Sequence, residues 1–319
     1  MKSVVVLLLS VLVFAHPPRL VEIAKRVNKI QNSWIANENT PLRDYSSFIG
    51  TLRNKKPLPI RSVQIKRELP KEFDCSVKWP ECPSILEVRD QSSCASCWAF
   101  GVVEVATDRI CIESKGKKQV HLSAEDVLEC CKDCGFQCQG GYSAMAWEYL
   151  RRTGVVTGGQ YNSTEWCKSY PFPPCSHGID GQYPQCSTKP PVVPKCELTC
   201  QEGYHIEYEK DRYKFSNVYQ LENNVEQIKN EIMENGPVDA SFQVYEDFMT
   251  YKSGIYHHVE GKFMNLHTVK IIGWGEENGE AYWKVVNSWN SEWGENGLFR
   301  IRLGTNECTI ESQVEGGLI

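Results

Sequence analysis

The placing of cysteine constrains this chain most. Its 319 residues hold fifteen cysteines, none before Cys75, and nine of them fall between Cys75 and Cys138. A load of that size points to an oxidising compartment, where disulfides persist and staple loops that a core alone would not hold. The N-terminus agrees. Lys2 is followed by an apolar run from Val4 to Phe14 and then by Ala15. Val13 and Ala15 are small residues at the -3 and -1 positions of a cleavage point, and the run is too short to span a bilayer. Residues 1–15 therefore read as a secretory signal. No later segment approaches the ~20 apolar residues of a membrane span. A net charge of -5 gives no reason to expect nucleic acid or an anionic membrane surface as partner.

The cysteine-free stretch has its own pattern. Leu20, Ile23, Val27, Ile30 and Trp34 fall on one helical face. Pro41, Pro57 and Pro59 then break it, and Lys66-Arg67 offers a basic cleavage site. Residues 16–68 are expected to be a pro-segment ahead of a disulfide-rich body at 69–319; the competing reading is a small first domain with its own role. In the body, Ala99, Val102, Val103, Ala106 and Ile110 predict a buried helix over 98–110 with Ser96 as N-cap. A second helix is expected from Ser123 to Cys130, and Thr157 to Gly203 reads as disulfide-stapled loops. The last third changes character: Val269 to Ile272 and Tyr282 to Val286 favour strands, with Asn278-Gly279 as the hairpin turn between them. A helical first half and a β-rich second half argue for an α+β fold with two lobes.

Cys94 and Cys97 sit three apart in Gln-Ser-Ser-Cys-Ala-Ser-Cys-Trp, a spacing with three chemical readings. A redox pair belongs in a βαβ context that is missing here. A zinc site could draw on Cys130, Cys131, Cys134 and Cys138, but in an exported chain such clusters oxidise more readily than they bind metal. A nucleophile needs help to ionise, from a helix N-terminus and a nearby imidazolium, with a third group orienting the imidazole. Cys97 begins the expected helix. Of the seven histidines, His267 opens the first strand of the hairpin, and its partner strand ends at Asn287. Folding at the turn brings His267 and Asn287 to the same end, with Trp289 placed to shield their contact from water.

These residues, and the match from Leu69 to Gly317, resemble the papain family of cysteine proteases, and within it the cathepsin B group. The resemblance implies a papain-like two-lobed fold, with a helical left lobe carrying the nucleophile helix and a β-barrel-like right lobe. It implies Cys97 as nucleophile, His267 as general acid/base, Asn287 as its orienter, and Gln91 with the Cys97 backbone N–H as the oxyanion hole. Gly140 and Gly141 correspond to backbone that pairs with extended substrate. The disulfides implied are Cys82–Cys111, Cys94–Cys138, Cys130–Cys196, Cys131–Cys134, Cys167–Cys200 and Cys175–Cys186. Cys97 is then the necessary free thiol. Cys75, which has no counterpart in cathepsin B, is left free, paired with Cys308 or linked to another chain. Expected partners are protein and peptide substrates, the chain's own propeptide as inhibitor, and cystatin-type inhibitors; no metal or other cofactor is implied. Asn162-Ser-Thr is a glycosylation sequon, and the destination is the lysosome or an extracellular space such as a gut lumen.

The departures from the pattern matter for specificity. Residues 172–187 correspond to the occluding loop, which normally offers two adjacent histidines to a substrate's C-terminal carboxylate. Here His177 is followed by Gly178, Tyr183 replaces an anchoring arginine, and the Asp90 partner of His177 is kept. Weakened dipeptidyl carboxypeptidase action and relatively more endopeptidase action are expected. Ala95 and Leu266 each replace a glycine at the cleft. Gln313 stands where cathepsin B has a glutamate in the P2 pocket, so acceptance of arginine at P2 is expected to fall while apolar side chains remain acceptable. A cleft spoiled by these changes gives the rival reading, a cathepsin B-like scaffold acting as a binding protein.

Overall fold

The computed structural model describes residues 19–41, 47–63, 65 and 68–319. The signal at 1–15 and the basic pair Lys66-Arg67 lie outside these residues. The described pro-segment forms α1 (Arg19–Ile30) and two short strands, β1 (Trp34–Ala36) and β2 (Ile60–Arg61). The body begins with β3 (Phe73–Asp74) and α2 (Cys75–Lys78). Three helices follow: α3 (Cys97–Glu113), α4 (Ala124–Cys130) and α5 (Ser143–Arg152). The second half holds β4 (Asn217–Leu221), α6 (Val225–Asn235), β5 (Val238–Tyr245), β6 (Tyr251–Tyr256), β7 (Phe263–Glu277), β8 (Glu280–Val286), β9 (Leu298–Arg302) and β10 (Val314–Leu318). The mixed architecture is that of a papain-like fold.

The strands make one sheet in the order β1-β6-β9-β8-β7-β5-β10-β4-β2, with β3 added to β7. The β7–β8 hairpin turns at Asn278 and Gly279, with φ of 53° and 81°, the doubly left-handed turn whose twist suits a two-residue connection. One apolar core lies inside this sheet; a second lies among α3, α4 and α5. Between them runs α3, buried on all sides from Cys97 to Cys111, as expected of a helix without a polar face. Two of its polar residues join the lobes. Asp108 pairs with Lys270 of β7 at 2.9 Å, and Arg109 pairs with Glu231 of α6 at 3.1 Å. A Cβ on Gly101 would lie 2.7 Å from Thr268 Cγ2, so only glycine lets α3 settle this closely on β7. That approach, one turn beyond Cys97 and one residue beyond His267, brings the helix start to the strand.

Local expectations are met unevenly. Ser123 caps α4 by accepting from the Asp126 N–H at 2.9 Å. Ser96 takes the N-cap position of α3 but makes no side-chain cap bond; its hydroxyl meets Tyr170 Oη at 3.1 Å instead. Leu20, Ile23 and Val27 are buried on α1, but Ile30 is 64% exposed at its end. Trp34 is not helical. It sits in β1, paired with Gly254 of β6, and packs against Tyr251 and Tyr256. His267 lies inside β7 rather than opening it, because β5 pairs with β7 back to Phe263. Six disulfides are closed: Cys82–Cys111, Cys94–Cys138, Cys130–Cys196, Cys131–Cys134, Cys167–Cys200 and Cys175–Cys186. Three of them reach into the strandless stretch after Thr157. Cys75 and Cys308 are unpaired and buried. No helix among the described residues is long and apolar enough to cross a membrane.

Candidate active site

Cys97 is the first residue of α3, so its side chain feels the unpaired N–H groups and positive end of a 17-residue helix. Opposite it stands His267, fully buried. The imidazole Nε2–H donates to Asn287 Oδ1 at 2.7 Å, and the same oxygen accepts the Ser288 N–H at 2.9 Å. Those two donors fix the amide orientation and hence the tautomer. Among the described residues Nδ1 has no hydrogen-bond partner, which leaves it for the thiol. Trp289 lies over the imidazole with ring centroids 4.8 Å apart. Burial works to push the Cys97 thiol up. The charge of His267, with bonds from the Thr51 hydroxyl and the Thr268 backbone, outweighs burial and brings it down to about 7.

The other two unpaired thiols show what this arrangement adds. Burial and the nearby Asp108 and Asp74 carboxylates push Cys75 well above the ordinary thiol value. Burial and Glu307 push Cys308 up likewise. A low-pKa thiol beside an oriented imidazole is equipped to attack a carbonyl; a buried thiol facing carboxylates is inert.

The pro-segment runs through the site. Thr51 N–H donates to Leu266 O at 3.0 Å on one wall, and Gly141 N–H donates to Gly50 O at 2.9 Å on the other. Leu52 N–H completes the second wall by donating to Gly141 O at 2.7 Å. Thr51 Oγ1 sits 3.2 Å from the Cys97 sulfur. Gln91 Nε2 donates to Phe48 O at 3.1 Å, as well as to Cys94 O, and its oxygen is held by the Ser288 hydroxyl at 2.7 Å. A cleavable bond must offer one carbonyl to both sulfur and amide. Here the sulfur meets a Thr51 side chain while the amide holds a carbonyl three residues earlier. The cleft is filled and no peptide bond is presented. Ala95 shapes this crossing, since a Cβ on Gly50 would come within 2.4 Å of the Ala95 Cβ.

Phe48 occupies one end of the cleft. Its ring stands edge-on to His177 and to Trp289, at centroid separations of 5.0 and 5.6 Å. His177 is fully buried beneath it, with Nε2 3.0 Å from Asp90 Oδ1 and an unpartnered Nδ1. Burial works against the Asp90 charge, yet the His177 imidazole and the Asn290 and Ser92 N–H donors hold this carboxyl below its usual range. Among the described residues the Tyr183 side chain makes no hydrogen bond; the Tyr183 carbonyl accepts the Ser176 hydroxyl at 2.9 Å. The loop is tied instead by Glu292, which accepts from the Gln182 N–H at 2.8 Å and the Ser176 hydroxyl at 3.2 Å. Donor atoms of Cys175, His177 and Cys186 lie within 4.8 Å of one another. The two sulfurs are joined in a disulfide, which removes them as thiolate ligands. Asn162 is exposed in a turn, with φ of 62°.

At the other end Asn54 lines a pocket of about 240 Å³ together with Ser241, Leu266 and Gln313. Gln313 Nε2 donates to Ser241 Oγ at 3.0 Å and Ser143 Oγ at 3.2 Å. Sequence reasoning reached Cys97, His267, Asn287, Gln91, Gly141, Trp289 and His177, which the fold gathers around the pro-segment. It missed the pro-segment's Phe48, Thr51 and Asn54. It also missed Ser241, Thr268 and Glu315, whose spacing in the chain carries no signal.

The family profile described as papain family cysteine protease matches residues 69–318. Over 267 residues the chain is 50% identical to a cathepsin B-like cysteine proteinase of Schistosoma japonicum, covering 84% of this chain and 78% of the relative. It is 43% identical over 311 residues to cathepsin B-like cysteine proteinase 6 of Caenorhabditis elegans, covering 92% and 81%. Among solved structures it is similar to procathepsin B S9 from Trypanosoma congolense, with a TM-score of 0.80 at 36% identity over 93% of this chain and 97% of that one. Digestive procathepsin L 3 of Tenebrio molitor larval midgut shares the fold at a TM-score of 0.68 and 19% identity, covering 94% and 89%.

Proposed function

Because the chain belongs to the papain family of cysteine proteases, among its cathepsin B-like members, we propose that it is a secreted or lysosomal zymogen whose body cleaves peptide bonds through Cys97. The observation that carries this reading is the thiol at the head of α3 facing an imidazole locked by Asn287. The Cys97 thiolate attacks the substrate carbonyl carbon, and the C–S bond forms. Gln91 Nε2 and the Cys97 N–H receive the oxyanion. His267 gives its proton to the leaving amine as the C–N bond breaks, leaving a thioester. Water, deprotonated by the same imidazole, then attacks the thioester and returns the thiolate. Asn287 holds the ring through both proton transfers, and Trp289 keeps water from their bond.

Residues 16–68 act as the inhibitory propeptide, removed near Lys66-Arg67, and act by misplacement: the chain lies on both catalytic groups without aligning a bond between them. Once Phe48 leaves, His177 is uncovered with Nδ1 available to a substrate's terminal carboxylate. One imidazole does this less well than two, so endopeptidase action dominates and dipeptide release is secondary. Cystatin-type inhibitors fit the vacated cleft, and Asn162 carries the glycan.

The test is hydrolysis by the acid-processed protein. A peptide with a free C-terminus and its amidated twin should both be cut internally, with dipeptides released only from the free acid, and Cys97→Ala should cut neither. Tight binding of the peptides without cleavage by a correctly processed wild type would replace this reading with a cathepsin B-like binding protein.

A further inference from the structure

A short turn joins Gln91 to Cys97, and its geometry sets where the side-chain amide of one and the backbone N–H of the other point. Every residue from Gln91 to Cys97 is buried. Ser92 has a φ of 56°, a left-handed conformation that a residue with a Cβ keeps only when its surroundings hold it there. Side chains grip both sides of the peptide bond before it. The Ser92 N–H donates to Asp90 Oδ1 at 2.6 Å, and the Gln91 carbonyl accepts from the Tyr170 hydroxyl at 2.8 Å.

Tyr170 lies 79 residues along the chain from Gln91, outside the segment that carries the nucleophile. Its ring is wedged edge-on between Phe100 of α3 and Phe172, with centroids 4.8 and 5.3 Å away. Its own N–H donates to Gly159 O at 2.9 Å. Burial pushes the phenol well above the ordinary tyrosine value, so it stays a neutral donor. A phenol carries one proton. With that proton given to the Gln91 carbonyl, the oxygen is left to accept from the Ser96 hydroxyl, 3.1 Å away. One side chain therefore ties Gln91 to the residue immediately before Cys97. The far end of Gln91 is set separately, because the Ser288 hydroxyl holds Oε1 at 2.7 Å and Ser288 O accepts the Gln91 N–H at 3.0 Å.

Resting on the peptidase reading above, we propose that Tyr170 is a positioning residue for the oxyanion hole: its hydroxyl holds the Gln91–Ser92 peptide and the Ser96 side chain in one register, so that the Gln91 amide and the Cys97 N–H aim at the same oxygen. Tyr170 touches neither the sulfur nor the imidazole. Aligned donors act on the charge that develops in the transition state, and their worth depends on that alignment. Removing the hydroxyl therefore lowers kcat and leaves substrate binding and thiolate formation alone. A tyrosine that only fills the core would cost stability without that split.

The experiment compares wild type, Tyr170→Phe, Gln91→Ala and the double variant, each processed in acid and titrated at Cys97 with an epoxysuccinyl peptide. Tyr170→Phe should lower kcat on an amide substrate about tenfold, a part of the roughly 10²–10³ that loss of a whole oxyanion donor costs. KM and the pH profile of Cys97 alkylation by iodoacetamide should not move. In the Gln91→Ala background the same change should cost less than about twofold, since residues that act through one another are not additive. An unaltered kcat overturns the inference, as does a shifted alkylation profile, a change confined to KM, or an equal tenfold loss without Gln91. If Tyr170→Phe yields no titratable enzyme, Ser96→Ala decides. A kcat about threefold lower at constant KM, the worth of a weak hydrogen bond, supports the inference, and an unchanged kcat overturns it. If wild-type Cys97 is itself not titratable, the peptidase reading fails and takes this inference with it.

Discussion

The two ends of the cleft follow opposite charge logic. At one, His177 is tied to Asp90 under aromatic cover, with its Nδ1 left for a carboxylate. At the other, Asn54 gives its amide N–H to Glu315, buried on β10 opposite Asp239 of β5. The pro-segment is fitted to both. It lays the Phe48 ring on His177 and Trp289, and three residues after Thr51 it offers the Asn54 amide to Glu315. The pro-segment is fitted to the cleft with its chain shifted, so that the sulfur and the Gln91 amide engage different residues.

The sharpest way to disturb this fit is at its middle, where both ends are held in register. Gly50→Ala places a methyl 2.4 Å from the Ala95 Cβ, and overpacking of that kind costs about 1–3 kcal/mol. Inhibition of the body by a separate pro-segment peptide should weaken by roughly 5- to 150-fold, and Ala95→Gly should restore part of it. An unchanged Ki would show that the crossing is not tight. At the basic end, His177→Ala should lower dipeptide release relative to internal cleavage by about tenfold, the worth of one charge-assisted bond. Equal loss on free-acid and amidated peptides would assign His177 a structural role only.

The smallest effect concerns pH. Arg19 on α1 holds Glu246 at 2.7 Å. Burial acts to raise the Glu246 carboxyl, but the Arg19 bond and the Lys262 N–H bring it below its usual value. A carboxyl lowered in the closed form stabilises that form above the ordinary carboxylate pKa and stops doing so as pH falls through the lowered value. Acid therefore loosens α1. Because Arg19 is more than half exposed, Arg19→Ala should weaken inhibition at neutral pH only about threefold, with a flatter acid dependence. A Ki that keeps its full pH dependence in the variant would place the acid trigger elsewhere.

How much of this is legible in the chain depends on range. Cys97, His267 and Asn287 follow from a helix start, a strand and a two-residue turn, all local signals. Trp34 continues the helical spacing of α1 on paper, yet β6 captures it as a strand, a choice made by residues more than 200 positions away. Ser96 is a cap by type, but Tyr170 competes for its hydroxyl. Glu315 is adjacent to glycine in an unremarkable run, Gln-Val-Glu-Gly-Gly; only pairing with β5 sets it against Asp239. The pro-segment's path is invisible for the same reason, since nothing local marks Thr51 as the residue that meets the sulfur.

The central claim is that His267 and the head of α3 make Cys97 unlike the two other free thiols, and its most direct test is alkylation against pH. In the acid-processed protein, one thiol should react, mapped to Cys97, with a rate that rises at a pH below the about 8.5 of an ordinary cysteine. His267→Ala should move that rise upward, and Cys75 and Cys308 should stay unlabelled. Labelling of Cys97 that follows an ordinary thiol's titration in wild type, or that is unaffected by His267→Ala, would contradict the account.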